Sequence, residues 1–133
     1  MSQVEAVSIS IPVPMDKIHN ALVSAFEGGA NYWLHGDELV EGYRKPDSNL
    51  VWYGHEAVFA QPFKAKLRFE DPKKEEGNDE GERVITNADI ERGLVLMATK
   101  APRHFADLLS DQGDQTTGDV LLQMIVLEDI VYG

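Results

Sequence analysis

Arg103 and His104 stand side by side behind a proline, in the stretch Pro102-Arg103-His104-Phe105. Proline is tolerated in the first turn of a helix, so this spacing predicts a helix start. A guanidinium there offers a planar fork to a phosphate or a purine edge. The free amides of a helix N-terminus favour anions as well. The same residues also read as an ordinary first turn. A second set of cations, Lys64, Lys66 and Arg68, alternates with Ala65, Leu67 and Phe69, which places all three on one face of a strand. They either meet an anion or form a solvated face balanced by carboxylates. Arg92 follows Asp89 by three residues. It is either a second anion ligand or the ion-pair partner of Asp89 on one helix face. Tyr32, Trp33, Trp52 and Tyr53 supply rings that stack on a base or fill a sheet core.

Catalytic patterns are missing from the chain. His19, His35, His55 and His104 are spaced too widely for a metal-binding helix. With no cysteine there is no disulfide, thiolate ligand or cysteine nucleophile. The chain has no Walker loop, no G-x-G-x-x-G and no G-x-S-x-G elbow. Gly28-Gly29 could cradle a phosphate, but it reads first as a helix C-cap, the wrong end of the dipole for an anion. A base, if one were needed, would be His104 or Asp107, and neither has an obvious partner. The residues point to binding without a cofactor rather than to catalysis.

The net charge of −11 opposes a phosphate polymer, so DNA and RNA are not expected partners. A local basic pocket could still hold a small anion, and the acidic surface could attract a basic protein. No uninterrupted apolar run approaches the roughly 20 residues that cross a bilayer. Met1–Val7 carries Glu5 and no basic segment, so a cytoplasmic protein without a secretory signal is expected.

The elements that would position these residues follow from periodicity. Val7, Ile9 and Ile11 alternate with serines, which predicts a half-buried strand ended by Pro12 and Pro14. Ile18, Ala21, Leu22, Ala25 and Phe26 form one face of a helix over Met15–Phe26, with Gly28-Gly29 as its stop. Ala30–Leu34 reads as the start of a strand, and Gly36–Asn49 as a loop containing a short strand at Leu39–Tyr43. Aromatic and β-branched residues make Leu50–Phe59 a strand. Phe63–Glu70 is the cleanest strand, Asp71–Glu82 a charged hairpin loop, and Arg83–Thr86 the returning strand. Asn87 is expected to cap a helix that Pro102 breaks. A second helix carries Phe105, Leu108 and Leu109 and ends at Gly113. A third, near Gly118–Ile130 and capped by Thr116 or Thr117, is apolar on most sides, so it is either central or covered by a partner subunit. The apolar end Ile130-Val131-Tyr132-Gly133 is expected to dock. Grouped strands and grouped helices predict a single α+β domain over residues 1–133, an antiparallel sheet packed on an N-terminal helix and a C-terminal group of helices.

Three stretches carry a family resemblance: Glu27-Gly28-Gly29-Ala30-Asn31-Tyr32-Trp33, Asp89-Ile90-Glu91-Arg92-Gly93-Leu94, and Thr117-Gly118-Asp119-Val120 with Ile130-Val131-Tyr132-Gly133. Together they resemble small phage and prophage proteins, and among these the first-described family of Thoeris anti-defence proteins. Those are oligomeric sponges that sequester cyclic ADP-ribose signals without cleaving them. The resemblance implies a homo-oligomer that binds a small nucleotide-derived ligand in the host cytoplasm. It also implies a ligand site of arginines, an aromatic ring and an asparagine. The candidates are Trp33, Arg44, Arg68, Phe69, Asn87, Arg92 and Arg103, with His104 beside the last. The apolar C-terminal helix would then supply the subunit contact. Two other readings stay open. One is an acidic module that inhibits a host protein, using the Asp71–Glu82 segment. The other is a nucleotide-degrading enzyme using His104 or Asp107.

Overall fold

The computed structural model describes residues 5–46, 49–75 and 77–133. Met1–Val4, Asp47, Ser48 and Glu76 lie outside the described residues, and with them parts of the expected N-terminal segment and of two expected loops. Helix α1 spans Met15–Ser24 and runs on into a π-helical turn at Ala25–Gly29. Strand β1 is Leu34–Glu41, α2 is the single turn Ala57–Ala60, β2 is Lys64–Glu70 and β3 is Glu80–Thr86. Three helices follow: α3 at Asn87–Lys100, α4 at Pro102–Leu109 and α5 at Gln115–Val126. The fold is α+β, with an antiparallel sheet in the order β1-β2-β3 and the helices collected against it.

The alternation in β2 decides the faces of the sheet. Ala65, Leu67 and Phe69 are buried, while Lys64 and Arg68 point outward. Their neighbours on the outer face are acidic. Lys64 lies 3.9 Å from Glu41, and Lys66 lies 3.9 Å from Glu38 and 3.7 Å from Glu82. The cationic stripe is therefore the balanced, solvated face, and such exposed pairs contribute little individually.

Helix α5 occupies the centre of the helical layer. Every residue from Thr117 to Val126 is buried, and the helix packs against α1, α3, α4 and β3. Two glycines allow the close crossings. A Cβ on Gly118 would collide with the carbonyl oxygen of Ala21, and one on Gly93 would collide with Ile125. The chain itself therefore covers α5, and this helix is not available as a subunit contact.

Several expected elements are corrected. Val7–Ile11 forms no strand among the described residues, and Val7 and Ile9 are 82% and 79% exposed. Leu50–Phe59 is not a strand. It forms a turn and the helical turn α2, and its rings join a cluster in which Phe26 stacks on Tyr53 and meets Trp52 edge-on. Tyr32 and Trp33 precede β1 rather than sit in it, and the short strand expected at Leu39–Tyr43 instead begins at Leu34 and ends at Glu41. Thr86, not Asn87, caps α3, through a capping box with Asp89. Asp114 caps α5, with Thr117 as the reciprocal partner, and the helix ends at Val126 rather than Ile130. After α4 it is Asp111, with φ of 59°, that takes the left-handed turn, and not Gly113. Gly28 does not form a left-handed cap either, since its φ is 161°.

Candidate functional site

The stretch Gly28–Trp33 turns the chain from α1 into β1, and its glycines are needed for proximity. A Cβ on Gly29 would stand 2.5 Å from the carbonyl oxygen of Gln115, the first residue of α5. This contact brings the Gly28-Gly29 turn against the start of α5. His104, from α4, and the C-terminal residues Ile130, Tyr132 and Gly133 complete a cleft of about 370 Å³. That volume lies at the lower end of the roughly 300–1,000 Å³ typical of small-ligand sites.

Asp119 organises the cleft. It is 7% exposed and accepts hydrogen bonds from the Tyr32 hydroxyl (2.5 Å), Trp33 Nε1 (2.7 Å) and Gln123 Nε2 (3.1 Å). Donors of this kind stabilise a buried carboxylate. Gln123 then ties down the end of the chain. Its Oε1 accepts from the amides of Val131 and Tyr132, and its Nε2 donates to the Tyr132 carbonyl. Tyr132 stacks on Trp33 with ring centroids 6.1 Å apart and meets Tyr32 edge-on. Its hydroxyl donates to the Glu70 carbonyl. The C-terminus docks as its apolar character suggests, although Ile130 and Val131 stay partly exposed.

The groups around the cleft differ in availability. Burial, with Asp119 close by, pushes the Tyr32 phenol from the ordinary 10.0 up to about 12, so it remains a neutral donor. Burial raises Tyr132 in the same direction. The carboxylate of Asp119 is engaged by its three donors. His104 is different. Its Nδ1 is buried and has no hydrogen-bond partner among the described residues. A buried ring nitrogen left unpaired costs about 1–3 kcal/mol.

The residues expected from sequence to bind are only partly brought together. Trp33 lies behind the cleft, fully buried, with Phe69 edge-on to it at 6.4 Å. His104 lines the cleft, and Arg103 is its exposed neighbour. Arg92 is elsewhere, 3.0 Å from Asp89 and bonded to the Ile125 carbonyl. Asn87 bridges backbone groups, accepting from the Phe63 amide and donating to the carbonyls of Phe59 and Gln61. Arg44 donates to the Leu39 carbonyl beside a smaller hollow of about 170 Å³. Arg68 sits on the outer sheet face with Asp37, Glu38, Lys66 and Glu82. Tyr32 is expected from sequence only as a stacking ring or core residue, and Asp119, Gln123 and Tyr132 are not among the ligands expected from sequence. Gln123 is the one polar interruption of the apolar run from Val120 to Leu127, and that is the available signal.

A larger, mostly apolar groove of about 570 Å³ lies between residues 9–18 and α3, with Asn87 at its edge. A cavity of about 200 Å³ beside α1 contains Lys17, but that ammonium is paired with Asp111 at 2.6 Å. Among the described residues no group of three or more His, Asp or Glu could hold a metal ion, and no helix is long and apolar enough to cross a membrane. No protein-family model, curated protein or solved structure matches the chain.

Proposed function

We propose that this protein binds a small nucleotide-derived signal, of the cyclic ADP-ribose class, and holds it without cleaving it, as an anti-defence sponge would. The observation that carries the reading is convergence. The Gly28–Trp33 stretch, Asp119-Val120 and Ile130–Gly133 are far apart in sequence and meet in one cleft. These are stretches on which the resemblance rests. The cleft offers what a nucleoside part needs. Tyr32 and Tyr132 supply aromatic surface, and the His104 ring lines the same cleft. Arg103, the exposed residue before His104 in α4, is the candidate among the arginines for a phosphate contact. Binding is favoured over turnover because the buried carboxylate is already held by three donors. Among the described residues no second carboxylate side chain lines the cleft with it.

Calorimetric titration with cyclic ADP-ribose isomers and cyclic di- and trinucleotides tests the reading. Recovery of the ligand after heat denaturation follows. Tight binding is expected, with the ligand recovered intact. His104→Ala is expected to weaken it about tenfold, the effect of one lost hydrogen bond. Heat with no member of the panel would sink the proposal, and so would product accumulating over many turnovers.

A further inference from the structure

The hollow beside Arg44 departs in charge from the rest of the molecule. Arg44, Lys45 and His55 line it, and Tyr43 and Trp52 add half-buried rings. None of its described lining residues is acidic, in a chain with 23 acidic and 12 basic residues. Lys17, Lys64, Lys66, Arg83, Arg92 and Lys100 are each paired with a carboxylate, whereas Arg44 and Lys45 form no ion pair among the described residues. The donors are also pre-set. Arg44 donates from Nη2 to the Leu39 carbonyl at 3.0 Å, which anchors the guanidinium and leaves the rest of its fork. His55 Nδ1 accepts the Ala57 amide at 3.1 Å. A backbone N–H only donates, so the neutral ring carries its proton on Nε2, which is then a donor. Trp52 is fixed by its Nε1, which donates to Asp37 at 2.7 Å and engages that carboxylate. Tyr43 lies against His55, with ring centroids 5.5 Å apart.

We propose that this hollow binds a phosphate group, as a second site separate from the cleft. Its cations select an anion, because the local field runs against the net charge of −11. Its size selects a small one. The hollow measures about 170 Å³. At ~30 Å³ per water, that admits a group of roughly five or six heavy atoms and not a whole nucleotide. Its donors select phosphate. A guanidinium fork, an ammonium and a ring N–H come from three side chains, which matches the three terminal oxygens of a phosphate monoester better than the two of a carboxylate. Inorganic phosphate and an aryl phosphate share this chemistry and differ in what Tyr43 and Trp52 contribute. The hollow and the cleft have no lining residue in common, so the two sites are tested apart.

The chain has two tryptophans, and they report the two sites separately, since Trp52 lines the hollow and Trp33 lies behind the cleft. Nuclear magnetic resonance of the isotope-labelled full chain follows both indole N–H signals, assigned with Trp52→Phe, during titration with inorganic phosphate at constant ionic strength. The Trp52 signal is expected to shift saturably and the Trp33 signal to stay. Arg44→Gln and Lys45→Gln should each weaken binding about tenfold. Lys73→Gln, the same charge change between β2 and β3, should leave it unaltered. Phenyl phosphate binding more tightly than inorganic phosphate makes a ring-borne phosphate the ligand, and equal binding makes it the free ion. Lys45 is exposed and makes no side-chain contact to lose among the described residues, so its variant keeps the fold, which the amide spectrum checks. A Trp52 signal that never saturates, or that moves equally with added chloride, overturns the inference. So does equal weakening by Lys45→Gln and Lys73→Gln. A Trp33 response to the cyclic nucleotide panel with Trp52 silent towards both phosphates would sink this site and leave the cleft reading standing.

Discussion

The two ends of α5 are finished in opposite ways. At the C-terminal end the chain supplies its own cations. Arg83 donates to the Val126 carbonyl at 2.8 Å and Arg92 to the Ile125 carbonyl at 3.1 Å. Both guanidiniums are paired with Asp89, at 3.2 and 3.0 Å, and with Glu128 at 3.7 and 3.6 Å. Positive groups on the last carbonyls of a helix are favourable, so this end is closed. At the other end, Gln115 and Thr116 face a cleft. There a carboxylate one turn further in is held by neutral donors alone, while buried nitrogens without a partner among the described residues occur at both ends, His104 Nδ1 here and Arg92 Nε at the other. Charge complementarity finishes one end within the chain and leaves the other facing a cleft. This difference is why the cleft, and not the arginine cluster, is taken as the site, although the arginines are the more conspicuous residues in the sequence.

The largest expected effect comes from breaking the network at the cleft end. Asp119→Ala leaves Trp33 Nε1, the Tyr32 hydroxyl and one Gln123 bond without their shared acceptor. Trp33 is fully buried, so its N–H cannot turn to bulk solvent. Destabilisation of about 3 kcal/mol is expected, from a lost charge-assisted acceptor and stranded buried donors. Urea unfolding of the variant measures it. A loss under about 1 kcal/mol would mean that Asp119 serves a ligand more than the fold.

A middle-sized effect is expected where α5 crosses α1. Gly118→Ala places a methyl group against the Ala21 carbonyl, and backbone must move to admit it. Overpacking of this kind costs typically about 1–3 kcal/mol. Because Gly118 lies one residue from Asp119, the crossing and the cleft should loosen together. Thermal unfolding and ligand titration of the same variant should therefore both register the change.

At the C-terminal end of α5, Arg92→Ala should cost less, about 1 kcal/mol or below. Asp89 keeps Arg83 and its capping bonds to Thr86, and half-exposed ion pairs are individually weak. That small cost should shrink further in high salt, while the Asp119→Ala cost should not. Equal salt dependence at the two ends would undo the comparison.

What the sequence allows one to read follows from how local each signal is. The alternation of β2 and the face of α1 are set by neighbouring residues, and both appear as expected. The Asp89–Arg92 pair and the carboxylates opposite Lys64 and Lys66 also follow ordinary local rules. Leu50–Phe59 misleads because its aromatic residues are strand formers that here pack against Phe26 and His19, so tertiary contact overrides propensity. Val7–Ile11 misleads in another way, since the alternation is real but no described strand of the same chain lies beside it. The cleft is half legible. Its walls coincide with stretches that look distinctive, but Tyr32 and Asp119 meet across 87 positions, and no local pattern encodes such a contact. Arginines draw attention by their chemistry, but the structure separates Arg44, Arg68, Arg92 and Arg103, and Arg92 is paired with Asp89 beside Arg83.

The smallest effect distinguishes the two ends of α5 by pH. A phenol is neutral when protonated, and the burial of Tyr32 beside Asp119 raises it from 10.0 to about 12 in the folded chain. Between those values the unfolded chain has lost a proton that the folded chain retains. Stability contributed by Tyr32 is therefore complete below about pH 10 and is lost as pH rises through about 12. Tyr32→Phe removes that titration, so its unfolding free energy should fall less steeply than that of the wild type across this window. Tyr53 is also raised to about 12 and remains in both proteins, which makes the difference between them specific to Tyr32. The ring of Tyr32 is half exposed, so solvent screens the effect, and a modest change of slope is expected. Arg92→Ala, at the other end of α5, should leave the alkaline limb parallel to that of the wild type. Superimposable alkaline limbs for Tyr32→Phe and the wild type would show that the Tyr32–Asp119 bond does not stabilise the fold, and the cleft would then lack the rigid wall its binding role requires.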